Sequence, residues 1–268
     1  MSERIATRLF LFLVALFLAG PLVVIAGVSV NEKRSLTFPP EGFSFHWYAQ
    51  IFTDDGWRGA LTTSVLIALG AATLAVLIAL PIAYVLWKRV SLVGRLIQTL
   101  GISPFVLPPV ITALGALSFW ATVGSYGAWY SVVISHAIFF TSLPLVTLSL
   151  GFSTIDREVT EAARTMGADE RIILTTIVLP MIAPYIVSGF AFAFVLSLNE
   201  YIVAYMTVGF TMETVPIKIF NALRYGYTPT MASVSILFVG VAVAVFGLVA
   251  RFGDLPRLLG AWSEGNET

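Results

Sequence analysis

Residues 60–87, ALTTSVLIALGAATLAVLIALPIAYVLW, form a run of 28 residues without a charged side chain. An α-helix rises about 1.5 Å per residue, so about 20 apolar residues cross the hydrocarbon core of a bilayer. A helix also satisfies its own backbone hydrogen bonds, which lipid cannot do. The run therefore predicts a transmembrane helix, and Lys88 and Arg89 directly after it fit a polar boundary.

Five further apolar runs flank this one and have similar lengths. They are Leu9–Val30, Ile97–Ala121, Ala128–Gly151, Met181–Val208 and Met231–Ala250. The first is longer than the apolar region of a signal peptide, which is about 7–15 residues, so we expect it to be retained as a span. The pattern predicts an all-α integral membrane protein with six transmembrane helices, in which residues 1–268 form a single transmembrane domain.

The composition agrees with lipid as the main solvent. Hydrophobic residues make up 58% of the chain and charged residues 11%, whereas soluble domains carry about 25% charged residues. The net charge is zero, which argues against a nucleic-acid partner. The chain has no cysteine and only two histidines, so we expect neither a metal site nor a catalytic residue.

The distribution of Lys and Arg predicts the orientation. If the N-terminus is cytoplasmic, ten of the fifteen basic residues face the cytoplasm and five face outward. Short cytoplasmic loops carry an excess of basic residues in membrane proteins. We therefore expect both termini, and the polar segment Ser153–Pro180, to be cytoplasmic.

The segment Ser153–Pro180 has the pattern of two helices joined by a glycine turn. Its sequence is STIDREVTEAARTMGADERIILTTIVLP. Asp156 is a good N-cap, and Gly167 suits the left-handed position that ends a helix. Asp169 can then cap a second helix that enters the membrane. Apolar residues recur at helical spacing along the first helix: Val159, Ala162, Ala163 and Met166.

The charged residues of this short helix are Arg157, Glu158, Glu161 and Arg164. One interpretation is that the helix inserts into a groove on a cytoplasmic partner. The other is an ordinary surface helix lying on its own bundle, with Glu161 paired to Arg157 and Arg164. Periodicity alone favours neither.

The residue identities at fixed spacing resemble a known loop. Glu161-Ala162-Ala163, three residues, Gly167, nine residues, Ile177, one residue and Leu179-Pro180 are similar to the EAA loop of binding-protein-dependent ABC importer permeases. The resemblance implies the type I ABC importer permease fold and a coupling helix at about Arg157–Met166 that docks on an ATPase. The ATPase-coupling residues it implies are Glu161, Ala162, Ala163, Gly167, Arg157, Glu158 and Arg164.

The chain has no phosphate-binding loop of its own. It contains no G-x-x-x-x-G-K-[ST] motif, and none of its three lysines follows a glycine-rich turn. We therefore expect no cofactor and no enzymatic activity in this chain, with ATP and Mg²⁺ bound by the partner ATPase.

Glu200 is the residue most relevant to the solute. It follows Pro180 by twenty residues within apolar sequence. Charged residues at membrane depth are costly and usually face a bundle interior or an aqueous cavity. Glu200, with Asn199 and Tyr201, is therefore predicted to line the substrate pathway and attract a cation. The alternative is a structural carboxylate, hydrogen-bonded to a neighbouring helix or near the outer interface.

Over nearly its whole length the sequence resembles the second permease subunit of spermidine/putrescine-type importers. The resemblance rests on Ser197–Glu200, Thr214–Phe220 and Thr228–Thr230, although relatives commonly have an acidic residue where this chain has Asn199. It implies a bacterial inner-membrane subunit that pairs with a second permease, two ATP-binding subunits and a periplasmic substrate-binding protein. The implied solute is a polyamine or a similar small amine.

Other functions predict different sequences. A permease for another small organic solute, such as an amino acid or a phosphonate or other anion, shares the coupling loop. An ion-coupled carrier or channel predicts several intramembrane charges and no docking helix, whereas only Glu200 lies clearly within a span. A membrane-embedded enzyme predicts a paired or metal-ligating site within the spans.

Overall fold

The computed structural model describes residues 2–89 and 92–252. The regular secondary structure in this part of the chain is helical, apart from one isolated bridge between Asn31 and Phe43. In chain order the helices are α1 (Ser2–Ser29), α2 (His46–Thr53), α3 (Asp55–Lys88), α4 (Leu92–Val106), α5 (Pro109–Val123), α6 (Trp129–Phe140), α7 (Ser142–Ser153), α8 (Arg157–Thr165), α9 (Glu170–Ile172), α10 (Leu179–Asn199), α11 (Ile202–Val208), α12 (Val215–Tyr225) and α13 (Thr230–Phe252). A π-helical segment, Ile173–Val178, joins α9 to α10.

The helices confirm the predicted all-α membrane architecture. Within the described ranges, four helices are long and apolar enough to cross a bilayer: α1, α3, the continuous helix Glu170–Asn199, and α13. Two bent pairs add up to two more. α4 and α5 meet at 107° and α6 and α7 at 45°, so six spans result if each pair counts as one.

The predicted third, fourth and fifth spans are not single uninterrupted helices, and the fourth breaks between α6 and α7 at Thr141. The third breaks between α4 and α5, at Leu107 and Pro108, because Pro109 lacks a backbone donor and disfavours helical backbone at the residue before it. Pro108 is accordingly extended, with ψ 131°. The fifth was expected to continue to Val208, but α10 ends at Asn199 and Glu200 is extended, with ψ 127°.

A further helix lies where the sequence suggested only a loop. α12 occupies Val215–Tyr225, inside the segment between the predicted fifth and sixth spans. Pro216 is the second residue of α12, in the first turn of the helix, where no intrahelical partner exists for the N–H that proline lacks. Val215 and Ile217 are fully buried, which explains why this short helix is stable.

The structure groups into two compact units, and the expectation of a single domain stays a prediction. The first unit comprises the residues up to Leu61 together with Ile217–Ala242. Polar contacts hold its segments together. Trp47 Nε1 donates to the Asn31 carbonyl at 2.6 Å, and Thr230 Oγ1 donates to Gln50 Oε1 at 2.7 Å.

The second unit comprises Thr62–Pro216 and the residues from Val243 onward. Its core is apolar, and its largest fully buried side chains are Phe152, Leu145, Leu148, Ile173 and Ile182. α7 and α10 approach closely because small residues lie at their contact, as is common in membrane bundles. A Cβ added to Gly189 would lie 2.8 Å from the Pro144 Cα on α7.

Replacing Gly189 with alanine should therefore separate α7 from α10. Since the obstructing atom belongs to the backbone, we expect overpacking to cost about 1–3 kcal/mol of stability. Thermal unfolding of the detergent-purified protein measures this as a lower midpoint. Gly115→Ala on α5 is the matched control, because no atom lies within 4 Å of its added Cβ. Equal midpoints for the two variants would contradict the close contact.

Candidate functional site

The loop between α7 and α10 has the predicted helix–turn–helix form. α8 begins after Asp156, whose backbone occupies the N-cap position without a side-chain hydrogen bond. Gly167 is left-handed, with φ +89°. The N–H of Ala168 bonds the carbonyl of Ala163, and the N–H of Gly167 bonds that of Arg164, which together form a Schellman motif. Asp169 then caps α9 by accepting from the Ile172 N–H at 2.7 Å.

The apolar stripe of α8 divides between two faces. Thr160 and Ala163 are buried, and Ala163 joins the core of the second unit with Ile155 and Ile173. The remaining apolar residues are exposed: Val159 (41%), Ala162 and Met166 (82%). We call these three residues the outer face of α8. One edge of the helix therefore anchors it to its own bundle, while the neighbouring apolar edge has no cover within the described part of the chain.

The charged residues of α8 remain accessible. Arg157, Glu158 and Glu161 are exposed. Arg164 makes its ion pair with Glu170 rather than with Glu161, at 2.6 Å between Nη2 and Oε1. A cavity of about 210 Å³ lies beside the helix. Its lining residues are Trp87, Lys88, Arg157, Thr160, Glu161 and Arg164.

Glu170 accepts from a second cation through its other carboxylate oxygen. Lys88 Nζ, at the end of α3, lies 2.6 Å from Glu170 Oε2. Glu170 thus accepts charge-assisted hydrogen bonds from Lys88 and from Arg164. Sequence reasoning missed this residue because Lys88 lies 82 positions away, beyond the reach of any local pattern.

The break between α10 and α11 is built around Glu200. Its carboxylate turns back onto the start of α11 and accepts from the backbone N–H groups of Val203 at 2.8 Å and Ala204 at 2.9 Å. These groups lack intrahelical partners because they lie in the first turn of a helix. Glu200 thereby acts as an N-terminal cap, and its side chain is only 7% exposed.

His136 on α6 completes this cluster. Its Nδ1 lies 2.8 Å from Ser197 Oγ on α10, and its Nε2 lies 3.1 Å from Glu200 Oε2 without good hydrogen-bond alignment. The imidazole is 1% exposed. His136 therefore joins α6 to the end of α10 and to the break. Local sequence patterns could not indicate these contacts, because His136 and Ser197 lie 61 positions apart in the chain.

Asn199 and Tyr201, the two neighbours of Glu200 in the chain, are less buried than its carboxylate and make different contacts. Asn199 is exposed, and its Nδ2 donates to the Val195 carbonyl of its own helix at 2.8 Å. Tyr201 is half-buried and stacks on Tyr205 with ring centroids 5.4 Å apart. The structure thus keeps the three predicted pathway residues adjacent but turns the carboxylate inward. That they line a pathway stays a prediction.

Residues 75–254 match the family of binding-protein-dependent transport system inner membrane components. The chain belongs to this family. A spermidine/putrescine transport system permease protein, PotC of Haemophilus influenzae, is 28% identical over 246 residues, covering 91% of this chain and 95% of its own. The putrescine transport system permease protein PotI of Escherichia coli K12 is 30% identical, covering 88% and 86%.

The fold of this inner membrane component also matches solved ABC transporters. A bacterial transporter that imports the acidic polysaccharide alginate aligns with a TM-score of 0.69 and 17% identity, covering 94% of this chain and 98% of that one. The predicted type I importer fold is thereby confirmed. The family match and the curated relatives show a multi-pass permease subunit of the inner membrane.

Proposed function

We propose that this permease subunit takes its energy from a separate ATPase that docks on the outer face of α8. The observation that carries this proposal is the exposure of Val159, Ala162 and Met166 along one edge of a helix whose neighbouring edge is anchored in the core. A short helix gains its stability from packing, so an apolar face without cover suits a partner's groove.

The assembly follows from this assignment. Two ATP-binding subunits hold the ATP and Mg²⁺, a second permease forms the other half of the pathway, and a periplasmic binding protein delivers the solute. Both termini and α8 then face the cytoplasm. Binding-protein docking outside and ATP-driven closure inside alternate the access of the pathway, and no covalent chemistry takes place in this chain.

The proposed solute is a polyamine or a similar small amine. Support comes from the relatives that transport spermidine and putrescine, which align along most of the chain. Asn199, exposed at the end of α10, is the polar side chain best placed to meet such a solute. Glu200 and Tyr201 complete the proposed pathway group at the break.

Association with the ATPase tests the docking proposal. We expect Met166→Glu to weaken copurification of the complete transporter about tenfold or more, because a charge would have to be buried in the partner's groove. Met166→Leu, which keeps an apolar side chain, should preserve it. Copurification that is equally strong for both variants would contradict docking through the outer face of α8.

Transport tests the solute. Proteoliposomes that contain both permeases and the ATPase should accumulate putrescine or spermidine when ATP and the cognate binding protein are supplied. Accumulation of an anion but of neither amine would overturn the proposed solute while leaving the docking proposal intact.

A further inference from the structure

The carboxylate of Glu170 lies where three helices converge at one end of the second unit. Its own helix begins there, α8 ends there one residue after Arg164, and α3 ends there at Lys88. Each carboxylate oxygen has a separate cation at 2.6 Å. One side chain therefore connects α8 to α3, two elements that no short loop joins.

The cation on α3 is held in place by aromatic rings. Lys88 Nζ lies 5.2 Å from the ring centroid of Trp87 and 5.6 Å from that of Tyr84. Trp87 in turn stacks on Phe152 at 5.4 Å, and Phe152 is 1% exposed in the core. Cation–π contacts and a buried stacking partner restrict the ammonium, so Lys88 is less mobile than an ordinary surface lysine.

We propose that Glu170 is a positioning residue that transmits the movement of α8 to α3, along a route separate from the chain connection through Gly167. This inference rests on the proposed function, since it assigns a role to α8 during ATP-driven movement. The chain connection carries displacement of α8 into α10. The Glu170 contacts carry the same displacement into α3, so that two spans respond together rather than one.

The two ion pairs of Glu170 should contribute little to folding stability. Exposed ion pairs contribute little to stability because water and salt screen them, and the Glu170 side chain is 58% exposed. Their effect should therefore appear in the ratio of solute transported to ATP hydrolysed, not in the amount of folded protein. The cavity beside Lys88 and Arg164 leaves α8 room to shift if the contacts are lost.

Substitution of Glu170 measures that ratio in the complete reconstituted transporter. We expect Glu170→Gln to keep ATP hydrolysis but to reduce the solute transported per ATP about threefold or more. Arg171→Gln, an exposed neighbour, is the matched control and should leave the ratio unchanged. An unchanged ratio in Glu170→Gln would overturn the inference.

A covalent link supplies the second test, because the chain contains no cysteine to interfere. The double variant Lys88→Cys with Glu170→Cys should be poorly coupled, and a reversible bifunctional thiol reagent that spans the pair should restore coupling until it is reduced. Persistent loss after crosslinking would overturn the inference. Failure of the ATPase to assemble with the native chain would instead overturn the proposed function.

Discussion

Glu200→Ala is expected to destabilise the permease by about 2–4 kcal/mol, because it leaves two backbone donors of α11 without acceptors. Both Val203 and Ala204 are buried and donate to the Glu200 carboxylate. His136 loses its neighbouring anion in the same variant. Thermal unfolding in detergent measures the loss, and we expect transport to fall with it.

Two further variants separate capping from attraction of the solute. Asn199→Ala should change stability by less than about 0.5 kcal/mol, since its amide bonds only its own helix. Glu200→Gln retains one acceptor oxygen and should assemble with reduced transport. A raised KM that grows with solute charge would assign Glu200 to the pathway, whereas a lower kcat with unchanged KM would assign it to the break. Native stability in Glu200→Ala would contradict the capping role.

Gly167→Val is expected to abolish most coupled transport while ATP hydrolysis continues. A left-handed backbone costs an L-residue about 1–2 kcal/mol, and more for a β-branched side chain, so the turn should adopt another conformation. No atom lies within 4 Å of a Cβ added to Gly167, so the effect comes from the backbone and not from a clash. The changed turn would then alter the angle between α8 and α9.

Gly167→Asn is the matched control, because asparagine tolerates the left-handed region. It should retain most of the native transport per ATP. If Gly167→Val and Gly167→Asn transport equally well, the left-handed turn is not what couples α8 to the membrane helices.

Local patterns predicted the parts of this fold that depend on local chemistry. The apolar run at Ala60–Trp87 became all of α3 except its first five residues and Lys88. Gly167 ends α8 and Asp169 caps α9, as expected. These features depend on residues within a few positions of each other. Periodicity and capping rules are sufficient for them.

Periodicity and capping rules could not predict the contacts that define the candidate sites. The Lys88–Glu170 pair and the His136–Glu200 contact join residues far apart in the chain. The split of the α8 stripe also depends on tertiary packing, because a helical wheel cannot tell which apolar edge its own bundle will cover. The effect of a proline also depends on its position: Pro109 lies at a 107° bend, whereas Pro216 is the second residue of α12.

The interruption after Asn199 also has an electrostatic consequence. Peptide dipoles add along a helix, so its C-terminal end carries about half a negative elementary charge, located on the last carbonyl groups. α10 ends beside the exposed amide of Asn199, with the ionisable carboxylate directed away toward α11. An ammonium group near these carbonyls would meet negative potential that the main chain itself supplies, and peptide carbonyls do not titrate with pH.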